Sequence, residues 1–274
     1  MRPLSALRFP TTAALADSVR RLVIEQSWRA NTGHIGSCLS IADLVAAVLA
    51  VMRGVGDDAD RDRLVLAKGH AALALYAGLH AMDRLDRATL DTFVEDGSRL
   101  GVHPEHALEG IDFSTGSLGH GLSIGAGAAL AARLDRSERR AFVVMSDAEC
   151  NEGSVWEAAM FAAHHRLANL VVLLDHNRQQ ALGYTEDVLE PTPLARRWRS
   201  FGWEVDEVDG HDADGLAARL EELDVASGPP HLLLAHTTFG KGVSFMEGRI
   251  EWHYRPMSEE QYRQALAELA AAGS

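Results

Sequence analysis

Apolar positions over residues 11–29 return every three or four places, at Leu15, Val19, Leu22 and Val23, with Gln26 on the same stripe. That is the spacing of one helix face. The stretch Asn31-Thr32-Gly33-His34-Ile35-Gly36 interrupts the pattern, and Ser40 with Asp43 then reads as a capping box ahead of Leu44, Val45, Val48 and Leu49. A short apolar run at 63–67 ends in Lys68-Gly69-His70, predicting a buried strand that opens into a loop, with a helix over 71–82. Continuous apolar runs of strand length recur at 141–146, 170–175 and 231–236, and a further strand is expected at 203–208. Helices are expected over 122–134 and 154–166, and a last one runs to 271 from Ser258, whose pairing with Gln261 is a second capping-box pattern. The 122–134 segment is dominated by Gly and Ala. Each glycine costs a helix roughly 1 kcal/mol relative to alanine, which points to close packing against another backbone or a ligand. Strands that are apolar throughout need cover on both faces, and their alternation with helices predicts an α/β fold: a parallel sheet with helices on both sides. No repeat, low-complexity tract or linker divides the chain, so one domain is expected over 1–274.

Composition changes the functional picture more than the fold. The 274 residues carry 26 basic and 39 acidic side chains, a formal charge of −13, which argues against holding nucleic acid by bulk charge. A negatively charged ligand then needs a local site or a metal ion. Cys38 and Cys150 are the only cysteines, excluding a disulfide framework or a four-thiolate zinc site and fitting a reducing cytoplasm. No run approaches the ~18 apolar residues of a membrane span, and the first ten residues lack the apolar core of a signal peptide. A cytoplasmic protein without membrane contact is expected.

Several common nucleotide sites are missing. Gly240-Lys241-Gly242 lacks the rest of a P-loop, and Gly119, Gly121, Gly125 and Gly127 have the wrong spacing for a dinucleotide fingerprint. Asp147 follows one predicted strand, and Asn177, thirty positions later, follows the next. In a parallel sheet both project from the carboxyl edge, where ligands bind. A carboxylate with an amide oxygen suits Mg²⁺, whose shell phosphate oxygens complete. The same residues also fit a helix cap and a turn.

The segment from Ser146-Asp147-Ala148-Glu149 through Asn151-Glu152-Gly153-Ser154, closed by Asp175-His176-Asn177, resembles the diphosphate motif of thiamine-diphosphate enzymes. Around it, Gly33-His34-Ile35-Gly36, Lys68-Gly69-His70, His103-Pro104-Glu105 and Ser114-Thr115-Gly116-Ser117-Leu118-Gly119-His120-Gly121 resemble the transketolase signatures, in family order. Asp209-Gly210-His211-Asp212, Gly240-Lys241-Gly242-Val243-Ser244-Phe245-Met246 and Glu251-Trp252-His253 continue the likeness over nearly the whole chain. It is greatest to the stand-alone amino-terminal subunit of split transketolases. The resemblance implies the thiamine-diphosphate-binding fold of the diphosphate (PP) module, with thiamine diphosphate and Mg²⁺ as cofactors. It implies transfer of a two-carbon ketol unit from a ketose phosphate to an aldose. It also implies a partner subunit that carries the pyrimidine-binding domain and its activating glutamate, assembled as α2β2.

By the same resemblance Asp147, Asn177 and the main-chain carbonyl of Gln179 hold the metal, and His70 and the Ala148 backbone face the phosphates. Gly116 and Leu118 meet the rings of the cofactor, and Glu152 pairs with the partner's glutamate. His34, His103 and His253 surround the reacting carbon, where an imidazole can donate to a carbonyl oxygen or take a hydroxyl proton. His120 and His211 are expected to be structural, and Arg196, Arg197 and Arg199 a solvated helix end. One departure stands out. Ser146 and Ala148 replace the two glycines that flank the aspartate in the family pattern, which predicts weaker or conformationally adjusted cofactor binding rather than its loss. The competing readings are a 2-oxo-acid decarboxylase or dehydrogenase subunit, against which the histidines at 34, 70, 103 and 253 count, and a degenerate binding subunit.

Overall fold

Five parallel strands form the centre of the structure, a computed structural model that describes residues 9–54, 58–189 and 193–272. In chain order the elements are α1 (Thr12–Ala30), α2 (Ile35–Ser40), α3 (Ala42–Val51), β1 (Arg63–Leu66), α4 (Ala72–Ala81), α5 (Arg87–Leu90), α6 (Gly121–Leu134), β2 (Ala141–Ser146), α7 (Gly153–His164) and β3 (Leu170–His176). There follow the small hairpin β4 (Gln179–Gln180) and β5 (Gly183–Tyr184), then α8 (Thr185–Leu189), α9 (Leu194–Ser200), β6 (Glu204–Asp209), α10 (Ala213–Glu222), β7 (His231–His236) and α11 (Glu259–Ala272). The main sheet has the order β1-β2-β3-β7-β6, every pair parallel.

Alternate residues of a strand face opposite sides, which is why these strands are apolar throughout. Phe142, Val144, Val171, Leu173, Leu233 and Ala235 join a core with α1, α3, α4 and α10. Val143, Met145, Val172, Leu174, Leu232 and Leu234 join a second core with α6, α7 and α9. The α/β fold with helices on both faces is therefore as the sequence predicts. Close packing accounts for the glycines of α6: a Cβ at Gly121 would overlap Ala67, and one at Gly125 would overlap the Val143 side chain. Gly127, on the other side of the helix, has nothing within 4 Å.

Element boundaries fall within one or two residues of the expected ones, with two corrections. Ile35 and Gly36, expected to belong to a break, instead open α2, which is entered through His34 in the left-handed conformation (φ 62°). The capping box expected at Ser40 and Asp43 does not form; α3 starts after Ile41 without a side-chain cap. Both residues are buried and used elsewhere. Ser40 bonds Asp175, and Asp43 accepts from Arg20 and from His211 Nδ1 at 2.8 Å. His211 Nε2 in turn accepts the Thr238 N–H at 2.8 Å, so this histidine has the structural role expected of it. The capping box at α11 is present, with the Ser258 N–H donating to Gln261 Oε1 and the Gln261 N–H to Ser258 Oγ. Arg196, Arg197 and Arg199 are exposed around the buried Trp198. Among the described residues no helix is long and apolar enough to cross a membrane.

Candidate active site

Because the five strands run the same way, their carboxyl ends share one edge, and Lys68, Asp147, Asn177 and Thr237 all emerge there. Asp147 is fully buried. Its Oδ1 accepts the Ala148 N–H at 2.9 Å, and its Oδ2 accepts the Arg178 N–H at 2.9 Å and the Thr185 hydroxyl at 3.3 Å. Among the described residues no basic side chain bonds to it. Burial and the neighbouring Asp175 carboxylate push its pKa up to about 7, against the pull of Lys68 and the backbone N–H groups. A carboxylate so placed favours a cation beside it.

Asn177, also buried, takes the Gln179 N–H on its amide oxygen at 2.9 Å and donates its NH₂ to Asp175 Oδ2 (2.8 Å) and Ser40 Oγ (3.1 Å). Gln179 opens the β4–β5 hairpin, and its buried side-chain oxygen has no partner. No group of three His, Cys, Asp or Glu among the described residues is placed to hold a metal. A cation here would have one carboxylate together with amide and carbonyl oxygens, an all-oxygen set suited to Mg²⁺ rather than zinc.

Beside this acidic centre stand three histidines. The rings of His34, His70 and His253 have centroid separations of 5.4, 5.2 and 5.2 Å. The main chain sets the arrangement: the His34 N–H donates to the His253 carbonyl at 3.1 Å. Gly33 lies so close to Tyr254 that a Cβ would sit 2.6 Å from its carbonyl oxygen. Burial lowers the pKa of all three, taking His253 to about 4 and His70 well below its ordinary value, with Lys68 and the neighbouring imidazoles adding to the effect at His70. At neutral pH they are uncharged, each able to donate through one nitrogen and accept through the other. His253 Nδ1 is buried without a partner.

His103 completes the group from a loop. Its carbonyl takes the hydroxyl of the buried Tyr76 at 3.0 Å, and Gly116 lies against its ring, where an added Cβ would be 3.4 Å from His103 Cδ2. The loop continues through Leu118, partly exposed, to Gly119 (φ 86°), where a Cβ would come within 2.6 Å of Glu152 Cβ. Glu152 is exposed. Thus His34, His70, His253 and His103 come together, the loop from Gly116 to Gly119 runs from His103 to Glu152, and Asp147 and Asn177 meet at the 177–179 turn. Ser146 and Ala148 both have ordinary negative φ, so the missing glycines leave no strained backbone.

Three residues of the quoted motifs have partners that the motifs do not reveal. Glu149 is buried and accepts the Ser146 N–H (2.9 Å) and the Gly119 N–H (3.0 Å), tying the 116–120 loop to the end of β2, and burial raises its pKa. Lys68 and Asp175 form a buried ion pair. In the sequence each is a charged residue at or just past the end of an apolar run, inside a motif that does not name its partner.

Residues 11–271 match the family described as transketolase, thiamine diphosphate binding domain. The chain belongs to the transketolase family. It is 40% identical to an apulose-4-phosphate transketolase subunit of Phocaeicola vulgatus, over 96% of this chain and 95% of that one. It is 38% identical to the 6-deoxy-6-sulfo-D-fructose transketolase subunit SqwG of Clostridium sp., over 94% and 96%. Among solved structures, transketolase from Campylobacter jejuni is similar with a TM-score of 0.88 at 27% identity, and the R525L variant of Pichia stipitis transketolase with 0.87 at 30%. This chain covers 43% and 40% of those two enzymes. It is thus a transketolase-type transferase chain that spans nearly the full length of related subunits and less than half of the larger enzymes.

Proposed function

We propose that this chain is the diphosphate-binding subunit of a split transketolase that uses thiamine diphosphate and Mg²⁺ and moves a two-carbon ketol unit from a ketose phosphate to an aldose. The observation that carries the reading is the buried Asp147, bonded by no basic side chain among the described residues, at the same sheet edge as a cluster of uncharged histidines. Asp147, the Asn177 amide oxygen and the Gln179 carbonyl would hold the metal. His70 and the Ala148 N–H would face the diphosphate, and Gly116 and Leu118 the rings. When bound, the cofactor supplies the nucleophilic carbon that cleaves and re-forms the carbon–carbon bond.

The chain's own residues bind, orient and handle protons. His34, His103 and His253 line the position of the substrate carbonyl, and a neutral imidazole there can donate its N–H to the carbonyl oxygen and accept a hydroxyl proton through its other nitrogen. Glu152, exposed beside the 116–120 loop, would meet a carboxyl group from another chain. Two carboxyls at hydrogen-bond distance share a proton at neutral pH. That second chain would be a transketolase-like subunit with the pyrimidine-binding domain, in an α2β2 assembly. The naming of two full-length relatives as transketolase subunits supports this.

Affinity purification from native cells tests the reading. A near-stoichiometric partner with a pyrimidine-binding domain should accompany the chain, and the pair should transfer ketol units from a ketose phosphate without decarboxylating a 2-oxo acid. Ketol transfer by the chain alone would place the activating base within these residues and defeat the split-enzyme account.

A further inference from the structure

We infer that Asp175 is a positioning residue that fixes the orientation of the Asn177 amide, turning its oxygen toward the cation site. The inference rests on the metal site proposed above and adds what makes Asn177 a ligand. An asparagine amide is nearly the same shape either way round, yet only its oxygen can bind a hard cation. Something must therefore decide which end faces the metal.

The hydrogen bonds decide it. Asp175 is fully buried at the end of β3. Its Oδ1 accepts from Ser40 Oγ at 2.7 Å and from Thr237 Oγ1, and its Oδ2 is bonded by the Lys68 ammonium. Both of its oxygens already take donors, from Ser40, Thr237 and Lys68, so the Asn177 atom 2.8 Å from Oδ2 is the NH₂ donor. Ser40 enforces the same choice. Its hydroxyl proton is committed to Asp175, so it can offer Asn177 only a lone pair, at 3.1 Å. Reversing the amide would set an oxygen against a carboxylate and against that lone pair. With both neighbours accepting, the oxygen faces the other way, where it takes the Gln179 N–H at 2.9 Å at the turn whose adjacent N–H, that of Arg178, is held by Asp147. Neither Asp175 nor Ser40 is required to touch the metal for this. Their effect passes entirely through Asn177.

Two substitutions separate orientation from mere stability. In Asp175→Asn the new amide can keep its oxygen toward Lys68 and present its NH₂ to residue 177, which favours the reversed Asn177. In the exchange Asp175→Asn/Asn177→Asp the number of carboxylates is unchanged. The carboxylate at 177 has oxygen at both ends, one for the NH₂ of the new amide at position 175 and one for the cation. The probe is Mn²⁺ with inorganic pyrophosphate, added to the full chain and followed by the loss of the free Mn²⁺ paramagnetic resonance signal, with circular dichroism and thermal melting as fold controls. Residues that orient a metal ligand typically change affinity by about 10–100-fold. Asp175→Asn should weaken Mn²⁺ binding by about that factor, and the exchange should recover most of it. Native affinity in folded Asp175→Asn overturns the inference, as does an exchange variant that folds yet binds no better than the single one. If Asp175→Asn does not fold because Lys68 has lost its counter-charge, Ser40→Ala takes its place. It should fold and bind Mn²⁺ about 10-fold more weakly, the low end of that range, for the loss of one acceptor facing the NH₂, and unchanged affinity overturns the inference. A native chain that takes up no Mn²⁺ removes the metal site itself, and this inference with it.

Discussion

Replacing Asp147 by asparagine should make the metal-free chain more stable at neutral and alkaline pH while abolishing its response to Mg²⁺. The carboxyl is fully buried, and its pKa rises from an ordinary 3.8 to about 7, burial being the largest cause and the Asp175 carboxylate the next. At about 1.36 kcal/mol per unit, its full ionisation opposes folding by at most about 4 kcal/mol. Asparagine keeps one acceptor for the Arg178 N–H but turns its NH₂ toward the Ala148 N–H, a loss of about 1 kcal/mol. A net gain of roughly 1–3 kcal/mol is expected at pH 8. The sign follows from proton binding. A carboxyl raised above its unfolded value lends stability below pH 3.8 that is lost as the pH climbs through about 7. The native chain should thus lose stability over that window relative to the variant. Urea unfolding followed by fluorescence of the buried Trp198 and Trp203, in chelator from pH 5 to 8.5, measures the difference. Adding Mg²⁺ and thiamine diphosphate should reverse the order, since a ligand at a hundred times its Kd stabilises the native chain by about 2.7 kcal/mol. A variant less stable than native at pH 8 without metal, or a difference that does not change with pH, would refute the reasoning.

The lowered histidines act in the opposite direction. With His253 at about 4 and His34 and His70 also below 6.5, the unfolded chain takes up protons first, so stability falls as the pH drops from 6.5 toward 4. His253→Asn should flatten that acid limb in a pH series of urea midpoints. On α6, Gly121→Ala should cost about 1–3 kcal/mol by forcing a methyl into Ala67. Gly127→Ala, facing open space, should stabilise the isolated chain by up to about 1 kcal/mol; equal effects of the two substitutions would contradict the packing. Glu152→Gln should leave the exposed site's stability within about 0.5 kcal/mol and its Mn²⁺ affinity unchanged, while ketol transfer with the partner falls by about 100-fold or more.

What could be read in the sequence depended on where each residue's partners lie. The strands at 141–146, 170–175 and 231–236 were legible because burial on both faces leaves continuous apolar runs. The α6 glycines announced the close approach to β1 and β2. Ser40 and Asp43 misled because a capping box is a local pattern, whereas their bonds reach Asp175 and His211, 135 and 168 positions away. The α2 helix was hidden behind His34, whose left-handed backbone looks like an interruption and is in fact an entry. Strand order was equally out of reach, since nothing local says that β7 lies between β3 and β6. Motif residues came through because their types and spacing are those of a recurring family pattern. The partners of Lys68, Glu149 and Asp175 stayed hidden, because those bonds join segments far apart in the chain.

That hidden layer also explains how a chain with 39 acidic and 26 basic residues can hold a diphosphate. Lys68 is the cation felt by Asp147, Glu149, His70 and His253 alike, yet its charge is already matched by Asp175. The histidines are held neutral, and Glu149 commits its oxygens to backbone N–H groups. Without a divalent ion, these groups therefore offer an incoming anion no uncommitted positive charge, and Asp147 repels it once ionised. With an ion bound at the proposed site, the Asp147 carboxylate would change from a destabilising buried charge into a ligand, and the excess positive charge would fall beside the phosphates. On the proposed site, diphosphate affinity would be conditional on the metal, a dependence that a site built from lysines and arginines would not have.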